Sequence, residues 1–345
     1  MKRMAVCLFL VALLLTTGAS LLSADKPFEH PCARGYANMI YDWESGEAYL
    51  LGGVEETGWY YLLNDIWSFN TFSKRWKKIF EDTDGSSFNA FQAETMTIDP
   101  KAKKILVYAN LWWNYTAETW IFDIRDGTFK NITSGTEPTS RWGSRMVYDT
   151  ESKRAILFGG SDNNDYHTYN ETWAYDFKTN TWTNMNPTVS PPPHHYGAMV
   201  YLPFEDKVVL FGGYDIYADA VRGETWVYDF HSNTWTNMQP AVSPKPRIYH
   251  TLEWDVASNQ AILFGGVAYL YEPVLNDTWA YDFKHNEWRE LAPRTSPSAR
   301  AWHVMTGTWR GILMFGGAAE HSVFTNDDTW LYKSHINTWE KINYK

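Results

Sequence analysis

Four arginines stand where binding chemistry could be done. Arg34, Arg141, Arg247 and Arg300 each open the same short stretch, as in Arg34-Gly-Tyr-Ala-Asn-Met-Ile-Tyr-Asp42 and Arg247-Ile-Tyr-His-Thr-Leu-Glu-Trp-Asp255. The first three fall eight residues before Asp42, Asp149 and Asp255, and Arg300 falls eight before Thr308. Equal offsets on equivalent elements predict four guanidinium groups at one height on one face. A guanidinium grips carboxylates and phosphates through two parallel hydrogen bonds. Loops rich in aromatic residues follow, holding Trp59 to Tyr61, Trp112, Trp113, Tyr115, Tyr166, His167, Tyr169, Tyr214, Tyr217, Tyr269, Tyr271, His321 and Phe324. Side chains of this kind stack on sugars or hold a peptide. Arg141 and Arg247, with Trp113 and Tyr214 beside them, are the expected main contact, and Arg34 and Arg300 complete the set. The competing reading has the arginines paired with repeat carboxylates such as Asp176 and Asp229, bracing the fold.

The elements that position these groups are set by a repeat. Trp67, Trp120, Trp173, Trp226, Trp279 and Trp330 are spaced by 53 residues four times and then by 51. A second aromatic follows each at the same spacing: Trp76, Phe129, Trp182, Trp235, Trp288 and Trp339. Each unit holds a short apolar run ended by glycines (Ile156-Leu-Phe-Gly-Gly160), an alternating run (Thr172-Trp-Ala-Tyr-Asp176) and a turn into a further strand (Asn180-Thr-Trp182). No helical period occurs inside the unit. A period near 50 built from short strands predicts the blades of a propeller. The glycine pair allows positive φ and close approach to the next blade. The register tryptophans are expected in the core between blades.

The glycine pair followed by spaced Trp and Tyr resembles the kelch repeat, in register six times from Arg34 to Lys345. The resemblance implies an all-β, six-bladed kelch-type propeller with four antiparallel strands per blade, running from the innermost strand outward. The repeats span about 34–80, 88–133, 141–186, 194–239, 247–292 and 300–345. Blade 1 contains its own opening strand and blade 6 its own closing one, so no strand need be shared to close the ring. Blade 2 departs from the pattern, with Ala109-Asn110 for the glycines and Phe129 for the closing Trp; blade 4 has His194, and blade 2 Phe91, in place of the Arg. In kelch propellers the Arg-bearing turn and the loop after the glycines line a shallow bowl over the channel.

The chain carries few marks of catalytic chemistry. Copper oxidases on this fold need a Cys joined to a Tyr, and Cys32 precedes the first blade. The Glu-x-x-x-Asp-x-x-x-His spacing of the iron-dependent specifier proteins is absent, as is the sialidase box. His194-His195 alone does not make a metal site. No metal and no cofactor is expected. Secreted kelch epimerases acting on sialic acid use Arg and Glu near the channel, and Arg34, Arg141, Arg247, Arg300 and Glu94 could supply them.

Met1 to Ala24 reads as a signal peptide, with Lys2 and Arg3, an apolar run from Ala5 to Leu15 and small residues after it; the alternative is an uncleaved anchor, its apolar stretch extended to Leu22. Residues 25–345 then form one propeller domain. After cleavage Cys32 is the one cysteine left, so stability must come from the core. A net charge of −10 disfavours nucleic acid. Asn114, Asn131, Asn170 and Asn276 head glycosylation sequons. The expected function is that of an exported, monomeric, non-catalytic binding module for a protein or glycan ligand. The alternative is a cofactor-independent sugar epimerase or mutarotase.

Overall fold

The computed structural model describes residues 30–56, 60–81, 93–111, 116–162, 167–269, 273–319 and 326–343. Each repeat folds into one four-stranded antiparallel sheet, and the six sheets form the blades of a propeller. Within each blade the strands pair in chain order from the axis outward. The six inner strands are Asn38–Asp42, Ala93–Asp99, Arg145–Asp149, Ala198–Leu202, Thr251–Asp255 and Val304–Thr308. The strand of blade 6 packs against that of blade 1, closing the ring, and neither blade borrows a strand from the other.

Two devices repeat between blades. The first uses the glycine pair. Gly160, Gly213, Gly266 and Gly317 donate their amides to the carbonyls of His194, Arg247, Arg300 and Arg34 in the next blade, at 2.8–3.0 Å. The preceding glycine lies so close that a Cβ on Gly212 would sit 2.5 Å from the Arg247 carbonyl oxygen. The second device uses the closing Trp. Trp182, Trp235, Trp288, Trp339 and Trp76 donate Nε1–H to Thr119, Thr172, Thr225, Thr278 and Thr329 of the preceding blade, at 2.8–3.2 Å. The last of these joins blade 1 to blade 6. In blade 2 the donor is lost because the residue is Phe129. Its threonine counterpart in blade 1 is Ile66, and both belong to one apolar cluster. Donor and acceptor are missing together, so no buried polar group is left unpaired.

The tryptophans that open each repeat correct one expectation. They occupy equivalent third-strand positions, but Trp67 and Trp279 alone are buried; the other four are half-buried. Five of them donate to the acidic residue two positions earlier: Nε1 of Trp67, Trp120, Trp173, Trp279 and Trp330 to Asp65, Glu118, Glu171, Asp277 and Asp328, at 2.7–2.9 Å.

Candidate functional site

Four of those carboxylates hold the four arginines. Arg34 makes a two-pronged contact with Asp65 at 2.6 and 3.0 Å, Arg247 with Asp277 at 2.7 Å on both prongs, and Arg300 with Asp328 at 2.7 and 3.4 Å. Arg141 binds Glu171 at 2.7 Å. Each guanidinium also donates to the carbonyl of the first glycine of its pair, Gly52, Gly159, Gly265 or Gly316, at 2.9–3.1 Å. All four side chains are at most 1 % exposed. Burial alone would raise the carboxyls of Glu171, Asp277 and Asp328; their hydrogen bonds, those from the arginines among them, hold all three below the ordinary range. The arginines share one height, as their offsets require, but they are sealed inside the blades and none is presented to a ligand. Their partners are the acidic residues two positions before the third-strand Trp. Asp176 and Asp229 instead pair with Arg154 and Lys207. A sugar epimerase using these four arginines in the channel finds them already engaged.

Of the loop residues, Trp113 lies outside the described residues. Tyr214 is half-buried and its hydroxyl donates to Asp219 at 2.5 Å. Tyr169 stacks on its own blade's Arg141, 4.1 Å from guanidinium to ring centre. The loop and the arginine turn do share a face. The residue after each arginine position bridges the residue after the glycine pair in five blades: Gly35 with Val54, Trp142 with Ser161, His195 with Tyr214, Ile248 with Val267 and Ala301 with Ala318.

That face opens into the axial channel through a cavity of about 480 Å³. Its rim is set by the residue two positions after the arginine: Tyr36, Tyr196, Tyr249 and Trp302. All four have left-handed backbone, with φ of 53°, 58°, 57° and 56°. Blade 3 has Gly143 there, at φ 67°. Left-handed backbone is unfavourable for any residue with a Cβ, and bulky side chains rarely adopt it. Amide hydrogen bonds between blades hold three of the four in place. Tyr196 donates to the Gly143 carbonyl, Tyr249 to that of Tyr196 and Trp302 to that of Tyr249, at 2.9–3.3 Å. The rings form a continuous arc: Tyr196 to Tyr249 at 4.6 Å, Tyr249 to Trp302 at 4.9 Å, and Tyr36 against both Trp302 and Tyr249 at 6.0 and 6.3 Å. A Cβ on Gly143 would meet the Tyr196 ring at 2.8 Å, so the arc ends there.

Below the rim the walls mix methionines with polar side chains and carry little charge. Burial drives the imidazole of His303 down to about 3, with the Arg300 charge adding to the effect, and takes His250 well below its usual value. Both rings are neutral at physiological pH. His303 Nε2 meets the Thr251 hydroxyl at 2.7 Å. Arg145, also on the wall, donates to the carbonyls of Gly197 and Ser144 at 2.7 and 3.1 Å. Among the described residues no three His, Cys, Asp or Glu side chains are placed to hold a metal. The rim was present in the sequence as Arg34-Gly-Tyr, Arg247-Ile-Tyr and Arg300-Ala-Trp; its signal was the glycine that blade 3 puts in the same register.

Comparison with known proteins agrees with this architecture. A model of the KLHDC2/KLHL20/DRC7 Kelch-repeats domain matches residues 146–345, and a model of the Attractin/LZTR1 beta-propeller matches residues 26–200. The chain belongs to the kelch-repeat β-propeller family. It is similar to Kelch domain-containing protein 10 of Xenopus laevis, 24% identical over 221 residues, covering 60% of this chain and 53% of that protein. It is likewise similar to Kelch domain-containing protein 1 of Mus musculus, 24% identical over 259 residues, covering 66% and 61%. The human Kelch domain-containing protein 10 is also 24% identical, with 60% and 49% covered. The matches span about half to three-fifths of the length of these relatives. Among the described residues no helix is long and apolar enough to cross a membrane.

Proposed function

We propose that this kelch propeller is an exported binding protein that takes an extended segment of a partner protein at its aromatic mouth. Kelch propellers serve generally as protein-interaction modules. The observation that carries the finer reading is the arc of four aromatic rings held in left-handed backbone. Strain of this kind is retained where it contributes to function. The arc offers rigid apolar surface at low entropic cost, as binding hot spots do. The neutral imidazoles and hydroxyls below it suit the amides of a peptide backbone. Export rests on residues 1–24, and glycosylation on Asn131, Asn170 and Asn276, all exposed.

The test is selection from a displayed peptide library, with the binders measured again on Tyr249→Gly and on Phe204→Ala, which lies away from the arc. Loss of at least tenfold in affinity for Tyr249→Gly, with Phe204→Ala unchanged, is expected. A parallel glycan array decides the other ligand class: glycan binders with no peptide binders would overturn the reading.

A further inference from the structure

Beyond the binding mouth the channel continues to the opposite face. Alternate residues of each inner strand point the same way. In Asn38–Asp42, for example, Met39 and Tyr41 pack in the core shared with blade 6, while Ile40 packs against the core shared with blade 2, and the edge of the strand lines the channel. The layer equivalent to Ile40 is formed by Ile40, Thr97, Val147, Val200, Glu253 and Thr306. Five are β-branched and uncharged, as an inner strand favours. The sixth is Glu253.

Glu253 lines the mouth cavity and also a second cavity, of about 170 Å³, that opens on the opposite face. The walls of this second cavity include Tyr41, Trp43, Tyr148, Tyr201 and Trp254. Glu253 Oε2 accepts one hydrogen bond, from the Gly307 amide at 3.2 Å. Among the described residues no lysine or arginine pairs with it. The described charged side chains on the inner strands are engaged elsewhere. Asp42 holds Lys103, Asp99 and Asp149 accept turn amides, and Asp255 accepts from Ser258. Arg145 is bound to backbone carbonyls on the side of the other mouth. The inner strands of blades 4 and 6 carry no charge. Burial with no cation opposite pushes the Glu253 carboxyl up to about 8.

We propose that the mouth opposite the aromatic arc is a site for a primary alkylammonium group, with Glu253 as its counter-ion. A carboxylate withdrawn from water is stabilised by a cation it can pair with. At roughly 30 Å³ per water, a cavity of 170 Å³ admits five or six heavy atoms, the size of a lysine side chain or a small amine. Aromatic walls attract alkylammonium cations and cover their methylenes. The protein's net charge of −10 raises the local concentration of cations. The site stands independently of peptide binding at the other mouth.

Calorimetric titration of the full chain with n-butylammonium chloride, n-butanol and an N-acetyl-Gly-Lys-Gly amide, at pH 6.5 and 7.5, tests it. Butylammonium is expected to bind about eightfold more tightly at pH 7.5, because the ionised fraction of Glu253 rises by nearly tenfold per pH unit as its value near 8 is approached. Binding should release protons, butanol should not bind, and Glu253→Gln should abolish binding at both pH values. Glu253→Asp, which keeps the charge, should retain pH-dependent binding and guards against a folding defect in Glu253→Gln. Tighter binding of the lysine peptide assigns the group to a protein side chain, and equal or weaker binding to a free amine. Absence of butylammonium binding, equal binding of butanol, or unchanged affinity in a folded Glu253→Gln would each overturn the proposal.

Discussion

Replacing Tyr249 by glycine and by alanine separates backbone strain from ring packing. Both variants lose the same ring and its contacts with Tyr196, Trp302 and Tyr36. They differ in the cost of φ 57°. In ordinary backbone alanine is the more stable by ~0.5–1 kcal/mol, because glycine loses more chain entropy. In the left-handed region a Cβ costs ~1–2 kcal/mol. The difference leaves Tyr249→Gly more stable than Tyr249→Ala by about 0.5–1 kcal/mol, a reversal of the usual order. For a domain of this size that is a Tm difference of about 1 °C. Equilibrium urea unfolding, with the two variants sharing one m-value, reads it directly. Alanine equal to or above glycine would refute the claim that the rim is strained, and with it the main argument that the arc is kept for binding.

Other outcomes follow from the same contacts. Trp235→Phe with Thr172→Ile copies the natural Phe129–Ile66 pair, so the double variant should be about 1 kcal/mol more stable than the sum of the singles predicts; additive losses in a double-mutant cycle would contradict the pairing. Asp277→Asn leaves the buried Arg247 without its charge partner and should cost about 3–5 kcal/mol in denaturant melts, far more than Asp176→Asn on the surface. The carboxyls of Asp277, Asp328 and Glu171 are lowered on folding, so their contribution is present above the unfolded value near 4 and drains away as pH falls through the lower folded value; Tm should drop steeply below about pH 4. The Glu253 carboxyl is raised on folding, to about 8, so without ligand its stabilisation is full below the unfolded value near 4 and is lost as pH rises from there through 8. Tm should fall between pH 6.5 and 8, and Glu253→Gln should flatten that slope; an unchanged slope would show that Glu253 titrates normally.

The architecture was legible because one pattern recurs six times. The spacing of Trp67 to Trp330 set the blade count, and the glycine pairs marked where blades approach. The arginines were legible as a set but not in their role. Their partners sit 28–31 residues away, at or just before the start of the third strand, at the residue before Thr-Trp or Ile-Trp, and burial distinguishes a brace from a ligand contact. The aromatic rim was harder to see. Tyr36, Tyr196, Tyr249 and Trp302 were written in the repeat, but tyrosine and tryptophan carry no sequence mark of left-handed backbone. Only Gly143 in the same register hints at it. Glu253 likewise looks like any strand glutamate until its layer is assembled from six blades and the other five members prove uncharged.

The most direct test of the binding reading is an amide hydrogen-exchange footprint of the protein with a selected peptide. Protection confined to segments 36–39, 196–199, 249–252 and 302–305 is the predicted result. Protection confined to the outer strands Arg75–Glu81, Thr181–Asn184 or Glu287–Leu291, with the rim segments unchanged, would contradict it.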